Sequence, residues 1–300
     1  MRKFLLTSII FTSLHVSAQQ VATYAQYMFN GLAINPAYAG SHEALSATAL
    51  ARFQNVGLKG APQTQTFSLH SPLLNKRVAL GLLAIHDEIS VINQTGIHFS
   101  YAYRIPVSTK ATLSMGLQGG LGFYNANYTK LDTPPDNAFD EDIREFRPNI
   151  GAGLYLFTTN YYVGLSAPHL VNNAFDRGAE FETVYQNRPI LFTAGYVIPI
   201  HRLLKLKPSF LLKFIDEVPV EFDLNANLLF DEVVWVGLSY KSTKTVSLIL
   251  QAQVTDQIQF GYAYQITAGP IRVVELGSHE IMLNYRFQFN KKGLVSPRYF

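Results

Sequence analysis

The chain has 300 residues, of which 48% are hydrophobic and 15% charged, with a formal net charge of +3 and no cysteine. The missing cysteine excludes disulfides, thiolate chemistry and Cys-ligated zinc. A soluble protein of this size normally carries about 25% charged residues. The small positive excess forms no basic block, so nucleic acid is not an expected partner.

Arg2 and Lys3 precede an apolar run from Phe4 to Leu14, and Val16-Ser17-Ala18 supplies small residues after it. This pattern predicts a secretory signal peptide over residues 1–18, with cleavage after Ala18 and a mature chain from Gln19. The competing reading is a buried N-terminal helix. No later run approaches the roughly 20 apolar residues that a membrane helix requires.

Residues 19–43 follow no strand pattern. Tyr24, Tyr27, Met28, Phe29, Leu32, Ile34 and Tyr38 form an amphipathic stretch too short to span a membrane. Asn35-Pro36 predicts a non-helical turn, and Gly40-Ser41 permits a sharp turn into the first strand. The stretch is expected in the lumen as a plug or along the periplasmic rim. The plainer alternative is that it only packs the end of a barrel.

From residue 44 onward the pattern has period two, which puts successive side chains on opposite faces of a strand. Strands are expected near 44–54, 63–71 and 77–86, the first two weakly patterned. Ile97, Phe99, Tyr101 and Tyr103 then alternate with His98, Ser100, Ala102 and Arg104, and Leu113, Met115, Leu117, Leu121 and Phe123 with Ser114, Gln118, Gly120 and Gly122. Strands near 148–157, 160–167, 189–200 and 204–214 follow. Alternation is clearest after that. Val220, Phe222, Leu224, Ala226, Leu228 and Phe230 oppose Glu221, Asp223, Asn225 and Asn227. Strands near 234–240, 245–252 and 258–266 repeat the pattern. Ile281, Leu283, Tyr285, Phe287 and Phe289 close it against Met282, Asn284, Arg286, Gln288 and Asn290.

The prediction is an all-β transmembrane antiparallel barrel of about fourteen strands over residues 44–290, an even number as bacterial single-chain barrels require. Residues 291–300 form a C-terminal tail. Short polar connectors imply hairpins. The long connections, Asn125 to Arg147, Pro168 to Arg188 and Ala268 to Gly277, follow strands five, seven and thirteen, so all fall at one end. That end is expected outside the cell, with the N-terminus in the periplasm. The last strand, apolar in alternation and ending in an aromatic, resembles the insertion signal of outer-membrane proteins.

The polar face carries Arg104, Lys213, Glu221, Asp223 and Arg286 as expected luminal charges. Lys213 and Glu221 lie opposite across the hairpin at Asp216 to Pro219, with Asp223 nearby, and buried charges need partners. His98 and Ser100 share one face at i, i+2, a spacing also used by outer-membrane phospholipases. No orienting third group accompanies them, so a satisfied luminal hydrogen bond is the expected role. Asp132, Asp136, Asp140, Glu141, Asp142 and Glu145 lack the spacing of a calcium loop and read as a solvated acidic loop. Gly116, Gly119, Gly120 and Gly122 sit inside a strand and read as close packing or bending, not as a phosphate loop. No metal, cofactor or catalytic site is expected.

The run from Tyr24 to Ser41 contains Gln26-Tyr27-Met28-Phe29-Asn30 and Asn35-Pro36-Ala37-Tyr38-Ala39-Gly40. It resembles the opening signature of the PorP/SprF family of type IX secretion system membrane proteins. Asn55, Gly60 to Thr64, Leu80 to Leu83 and Asp87 extend the likeness. The resemblance implies a non-enzymatic outer-membrane component supporting secretion or surface attachment of adhesin-like cargo. It also implies contact with periplasmic ring proteins or associated lipoproteins of the secretion and gliding-motility machinery. Tyr24, Gln26, Tyr27, Met28, Phe29, Asn30, Asn35, Pro36, Ala37, Tyr38 and Gly40 are the implied partner-binding residues. The loops at 125–147 and 168–188 would meet cargo. Outer-membrane lipids are a further partner, and no small-molecule substrate is expected. The alternative is a porin or small-solute transporter.

Overall fold

Alternation of apolar and polar residues yields a wall whose outside is apolar and whose inside is polar. A computed structural model describes residues 24–73, 76–130, 141–171, 174–175, 184–185, 188–216, 218–269 and 275–287. Fourteen antiparallel strands form the wall: β1 Leu45–Phe53, β2 Gln63–Pro72, β3 Val78–Ile89, β4 Ile92–Pro106, β5 Thr112–Ala126, β6 Ile143–Phe157 and β7 Tyr161–Ala167. Next come β8 Ile190–Tyr196, resuming as Ile198–His201, then β9 Leu204–Ile215, β10 Val218–Phe230, β11 Val234–Lys241, β12 Thr245–Gln253, β13 Ile258–Thr267 and β14 Ser278–Phe287. A two-residue ladder, Ala174–Phe175 with Val184–Tyr185, lies in the connection between β7 and β8.

Each strand pairs with its sequence neighbours, and β14 returns to β1 with Leu45 opposite Phe287 and Phe53 opposite His279. Closure removes the two free edges that an open sheet would leave unpaired. Phe99, Leu117, Leu224, Leu238, Val246 and Leu283 are exposed on the outer face, while Ser100, Gln118, Asn225, Ser239, Ser247 and Asn284 are buried on the inner one. No helix among the described residues is long and apolar enough to cross a membrane. The crossing elements are the strands, whose backbone groups are satisfied by the closed ladder.

Several expected boundaries shift. β4 begins at Ile92, because β3 and β4 form a tight hairpin in which Ile89 opposes Ile92. β5 runs to Ala126 and β6 starts at Ile143, so the connection between them spans 127–142, shorter than the expected 125–147. Charge hid the start of β6. Arg144 faces outward there, while inside Arg147 pairs with Glu145 at 3.0 Å and lies 4.1 Å above the Tyr124 ring. The long connections 127–142, 168–189 and 268–277 lie at one end, and the turns 107–111, 158–160, 202–203 and 231–233 at the other. In outer-membrane barrels the long loops are extracellular and the short turns periplasmic. The predicted signal peptide, Phe289, the tail 291–300 and Asp132, Asp136 and Asp140 lie outside the described residues.

Candidate functional site: the N-terminal segment inside the wall

Three 3₁₀ turns, Tyr27–Phe29, Gly31–Ala33 and Pro36–Tyr38, carry the segment before β1. Asn35 is extended (φ −147°, ψ 115°), and its side-chain oxygen caps the third turn by accepting from Ala37 N–H. Pro36 suits the first position of that turn because its missing N–H would be unsatisfied there anyway. The Asn35-Pro36 pair, expected as a non-helical turn, thus opens a short helical one. Gly40 sits at φ +74°, a conformation that disfavours a side chain, and starts the turn into β1.

Wall strands on all sides engage the segment. Tyr24 Oη meets Thr66 Oγ1 on β2. The Glu280 carboxylate on β14 accepts from Ala25 N–H at 2.6 Å and Gln26 N–H at 3.2 Å, and lies 3.6 Å from Arg52 Nε on β1. Gln26 Oε1 accepts from Gln251 Nε2 at 3.1 Å. Tyr27 Oη accepts from Asn225 Nδ2 at 2.8 Å, and Asn30 Oδ1 from Ser68 Oγ at 2.8 Å. The Phe29 ring meets Trp235 edge-on at 5.8 Å, with the Lys207 ammonium 4.9 Å from the Phe29 centroid and 5.6 Å from that of Trp235.

Lower in the wall, Asn35 Nδ2 donates to Leu154 carbonyl and Ser166 Oγ to Ile34 carbonyl. Tyr38 Oη lies 3.0 Å from His42 Nε2, and its ring meets Tyr155 at 5.4 Å. Gly40 N–H donates to His70 Nδ1, and Arg104 Nη1 to Gly40 carbonyl. Tyr24, Ala25, Gln26, Tyr27, Met28, Asn30, Asn35, Ala37 and Tyr38 are all buried. Burial pushes the phenols of Tyr24 and Tyr27 above the usual tyrosine range.

These contacts fix the direction of the segment. Glu280 and Arg52 stand near the long-loop ends of β14 and β1, whereas Arg104 and His70 stand near the short-turn ends of β4 and β2. The chain therefore descends inside the barrel from the long-loop half to the short-turn end before it becomes β1. Gly116 and Gly153 line this path. A Cβ at Gly116 would lie 2.2 Å from Ala37 N, and one at Gly153 would lie 2.1 Å from Asn35 Oδ1.

Four of the five expected inner charges are in ion pairs. Lys213 Nζ lies 2.9 Å from Glu221 on the facing strand, as expected across that hairpin. Asp223 instead meets Lys241 of β11 at 3.5 Å. Arg104 reaches Glu43 at 3.8 Å and lies 5.4 Å from the Phe157 centroid. Arg286 faces inward opposite Ser46. Sequence reasoning missed Glu280, Arg52 and Lys207. Each is a charge on the polar face of an alternating strand, and that was the available signal. Their partners emerge only once the register is known.

His98 and Ser100 differ from expectation. Among the described residues, neither His98 Nδ1 nor Ser100 Oγ has a hydrogen-bond partner. The His98 ring lies against Gly96 and Gly120 and faces His169, from the connection after β7, with ring centroids 6.1 Å apart. Of the acidic loop, Asp142 accepts from the N–H and hydroxyl of Thr129, which hold its carboxyl below the usual range. No group of three or more His, Cys, Asp or Glu among the described residues is placed to hold a metal.

Two solved structures resemble the whole barrel. The CymD monoaromatic hydrocarbon channel superposes with a TM-score of 0.51 at 15% identity, covering 88% of this chain and 93% of its own. The Ralstonia pickettii toluene transporter TbuX gives 0.51 at 10% identity, covering 87% and 93%. At such identities the likeness shows the fold alone, that of an outer-membrane barrel. No curated protein matches the sequence. Residues 16–285 match the family described as "Type IX secretion system membrane protein PorP/SprF". With the match spanning most of its length, the chain belongs to the PorP/SprF family of type IX secretion system membrane proteins.

Proposed function

We propose that this protein is a non-enzymatic outer-membrane component of type IX secretion that supports export or surface attachment of adhesin-like cargo. On this reading, residues 24–41 plug the barrel, and the loops at the long-loop end meet the cargo. A periplasmic ring protein or lipoprotein of the secretion machinery binds at the short-turn end. The observation that carries the reading is the family match together with the burial of its opening motif against the barrel's inner wall. Gln26, Tyr27, Asn30, Asn35 and Tyr38 commit polar atoms to neighbours inside the barrel. The motif's part in partner binding is therefore to shape the short-turn end, where Arg104, Lys76 and Glu43 gather.

Deleting the gene and measuring secretion and surface display of adhesins tests the reading. Loss of either is expected, and normal levels of both in a strain lacking any second copy would refute it. Capture of the detergent-extracted protein should bring down a periplasmic component, and charge reversal at Lys76 should weaken that capture.

A second reading, a diffusion channel for small solutes, draws on inner-wall atoms that lack hydrogen-bond partners among the described residues: Asn227 Oδ1 and Nδ2, Ser239 Oγ and Gln265 Oε1. Such a wall suits water running alongside the motif. Planar-bilayer recording separates the two. The plugged component is silent until residues 24–41 are deleted, whereas a channel conducts with the motif in place.

A further inference from the structure

The connection after β7 brings one histidine to the wall, and the wall is built to receive it. Asn149 Nδ2 donates to the Pro168 carbonyl at 2.8 Å, and Leu170 N–H donates to the Ile150 carbonyl at 2.8 Å. His169 is thus held between two anchored neighbours. Gly151 leaves room for this, since a Cβ there would lie 2.7 Å from the Pro168 carbonyl oxygen. The facing imidazole, His98, is 6% exposed. It occupies space that two more glycines leave open: a Cβ at Gly120 would lie 2.1 Å from its Nδ1, and one at Gly96 would lie 2.8 Å from its Nε2.

His98, Gly120 and Asn149 form one row across β4, β5 and β6. Three polar atoms around this row are buried without a hydrogen-bond partner among the described residues: His98 Nδ1, His169 Nδ1 and Asn149 Oδ1. Buried polar atoms of this kind normally have a partner. Three in one place point to a ligand that takes electron pairs.

We propose that His98 and His169 bind a first-row transition-metal ion, with the Asn149 carboxamide oxygen as a neighbouring oxygen donor. Imidazole suits zinc, copper and nickel. Each ligating nitrogen would sit about 2.0–2.1 Å from a zinc ion, which a ring-centre separation of 6.1 Å accommodates. The two rings meet at 72°, so they converge without stacking. Two imidazoles leave coordination positions for water. The ion would tie the connection after β7 to the wall of β4.

The test uses the full-length protein, purified in detergent and stripped with a chelator. Cu²⁺ is added, and electron paramagnetic resonance counts the coordinating nitrogens. Wild type should show saturable binding at one equivalent with two imidazole nitrogens. H98Q and H169Q should each show one nitrogen and bind about tenfold more weakly or worse. X-ray absorption of the zinc-loaded wild type needs no variant and should report two imidazoles in the first shell. The proposal is overturned if wild type binds no more tightly than the double variant. It is also overturned if the two-nitrogen signal survives in H169Q, or if the zinc shell contains fewer than two imidazoles.

Discussion

Replacing Glu280 with alanine is the sharpest test of how the N-terminal segment is held. The Glu280 side chain is fully buried and accepts both Ala25 N–H and Gln26 N–H while lying 3.6 Å from Arg52. Removing one member of a buried ion pair costs about 3–5 kcal/mol. The two orphaned amides would add about 1–3 kcal/mol each if they stayed buried. They need not stay there, because the segment can leave the wall and rehydrate. The loss is then capped near the free energy of docking, and about 3–5 kcal/mol is the expected total. At 1.4 kcal/mol per tenfold, exchange of the Ala25 and Gln26 amides should rise by roughly two to three and a half powers of ten. E280Q retains an oxygen that can accept one amide but loses the charge, so a smaller cost of about 1.5–3 kcal/mol is expected. Hydrogen exchange with mass spectrometry reads the segment, and a urea transition reads the barrel. If E280A left exchange of residues 24–30 unchanged, the carboxylate clasp would not be what holds the segment, and the reasoning would fail.

Other substitutions test the same packing from the wall side. G116L should displace Pro36–Ala37, since even a Cβ would lie 2.2 Å from backbone, and should destabilise the fold by about 1–3 kcal/mol in a urea transition. Y27F removes the acceptor of Asn225 Nδ2 and should cost about 1 kcal/mol with the barrel's far-UV spectrum unchanged. K213A should cost more than the K213M/E221L double replacement, because the single change leaves the Glu221 carboxylate without its 2.9 Å partner; paired urea transitions would show the ordering. For Asp142 the folded pKa is lowered, so its contribution is complete above the usual carboxylate pKa of about 3.9. That contribution is lost as pH falls through the lower folded value. The Thr129 amide resonance should titrate with a midpoint below about 3.9, and a midpoint at or above it would show that the Thr129 contacts do not form.

The wall was legible because burial and hydropathy share a period of two. Leu224, Leu238, Val246 and Leu283 announce the outer face, and their neighbours Asn225, Ser239, Ser247 and Asn284 the inner one. Legibility failed where the pattern mixes. At the start of β6 an outward Arg144 interrupts the apolar face, and the strand extends further than hydropathy alone indicates. It failed more completely for contacts that join distant residues. The pair Lys213 and Glu221 could be expected because a two-strand hairpin fixes their register. Arg52 and Glu280 are also directly opposite, but across the closing strands, where no short turn counts out the alignment. His98 was visible as a polar residue on an alternating strand. His169 was not visible as its neighbour, because a connection without periodicity says nothing about where it folds back.

The motif and the wall explain each other's oddities. Glycine inside a strand is weakening, by roughly 0.5–1 kcal/mol relative to alanine. In an ordinary wall, Gly116, Gly153 and Gly261 would be unexplained losses. Each faces the segment instead: backbone at Ala37, the carboxamide of Asn35, and the carboxamide of Gln26, all within 2.1–2.3 Å of where a Cβ would stand. The same contacts account for Asn35 and Gln26. Both are polar, both are buried, and both spend their side chains on atoms that larger wall residues would keep out of reach. Neither set makes sense alone, since polar residues in a free N-terminal stretch would be solvated and glycines in an empty lumen would serve no contact. Their fit makes the segment a matched part of this barrel. It follows that alanine at Gly153 should mimic loss of Asn35, loosening the capped turn Pro36–Tyr38. Exchange at residues 36–38 should rise in both G153A and N35A, and the double variant should add little to either. Full additivity would mean that the glycine and the carboxamide are not parts of one contact.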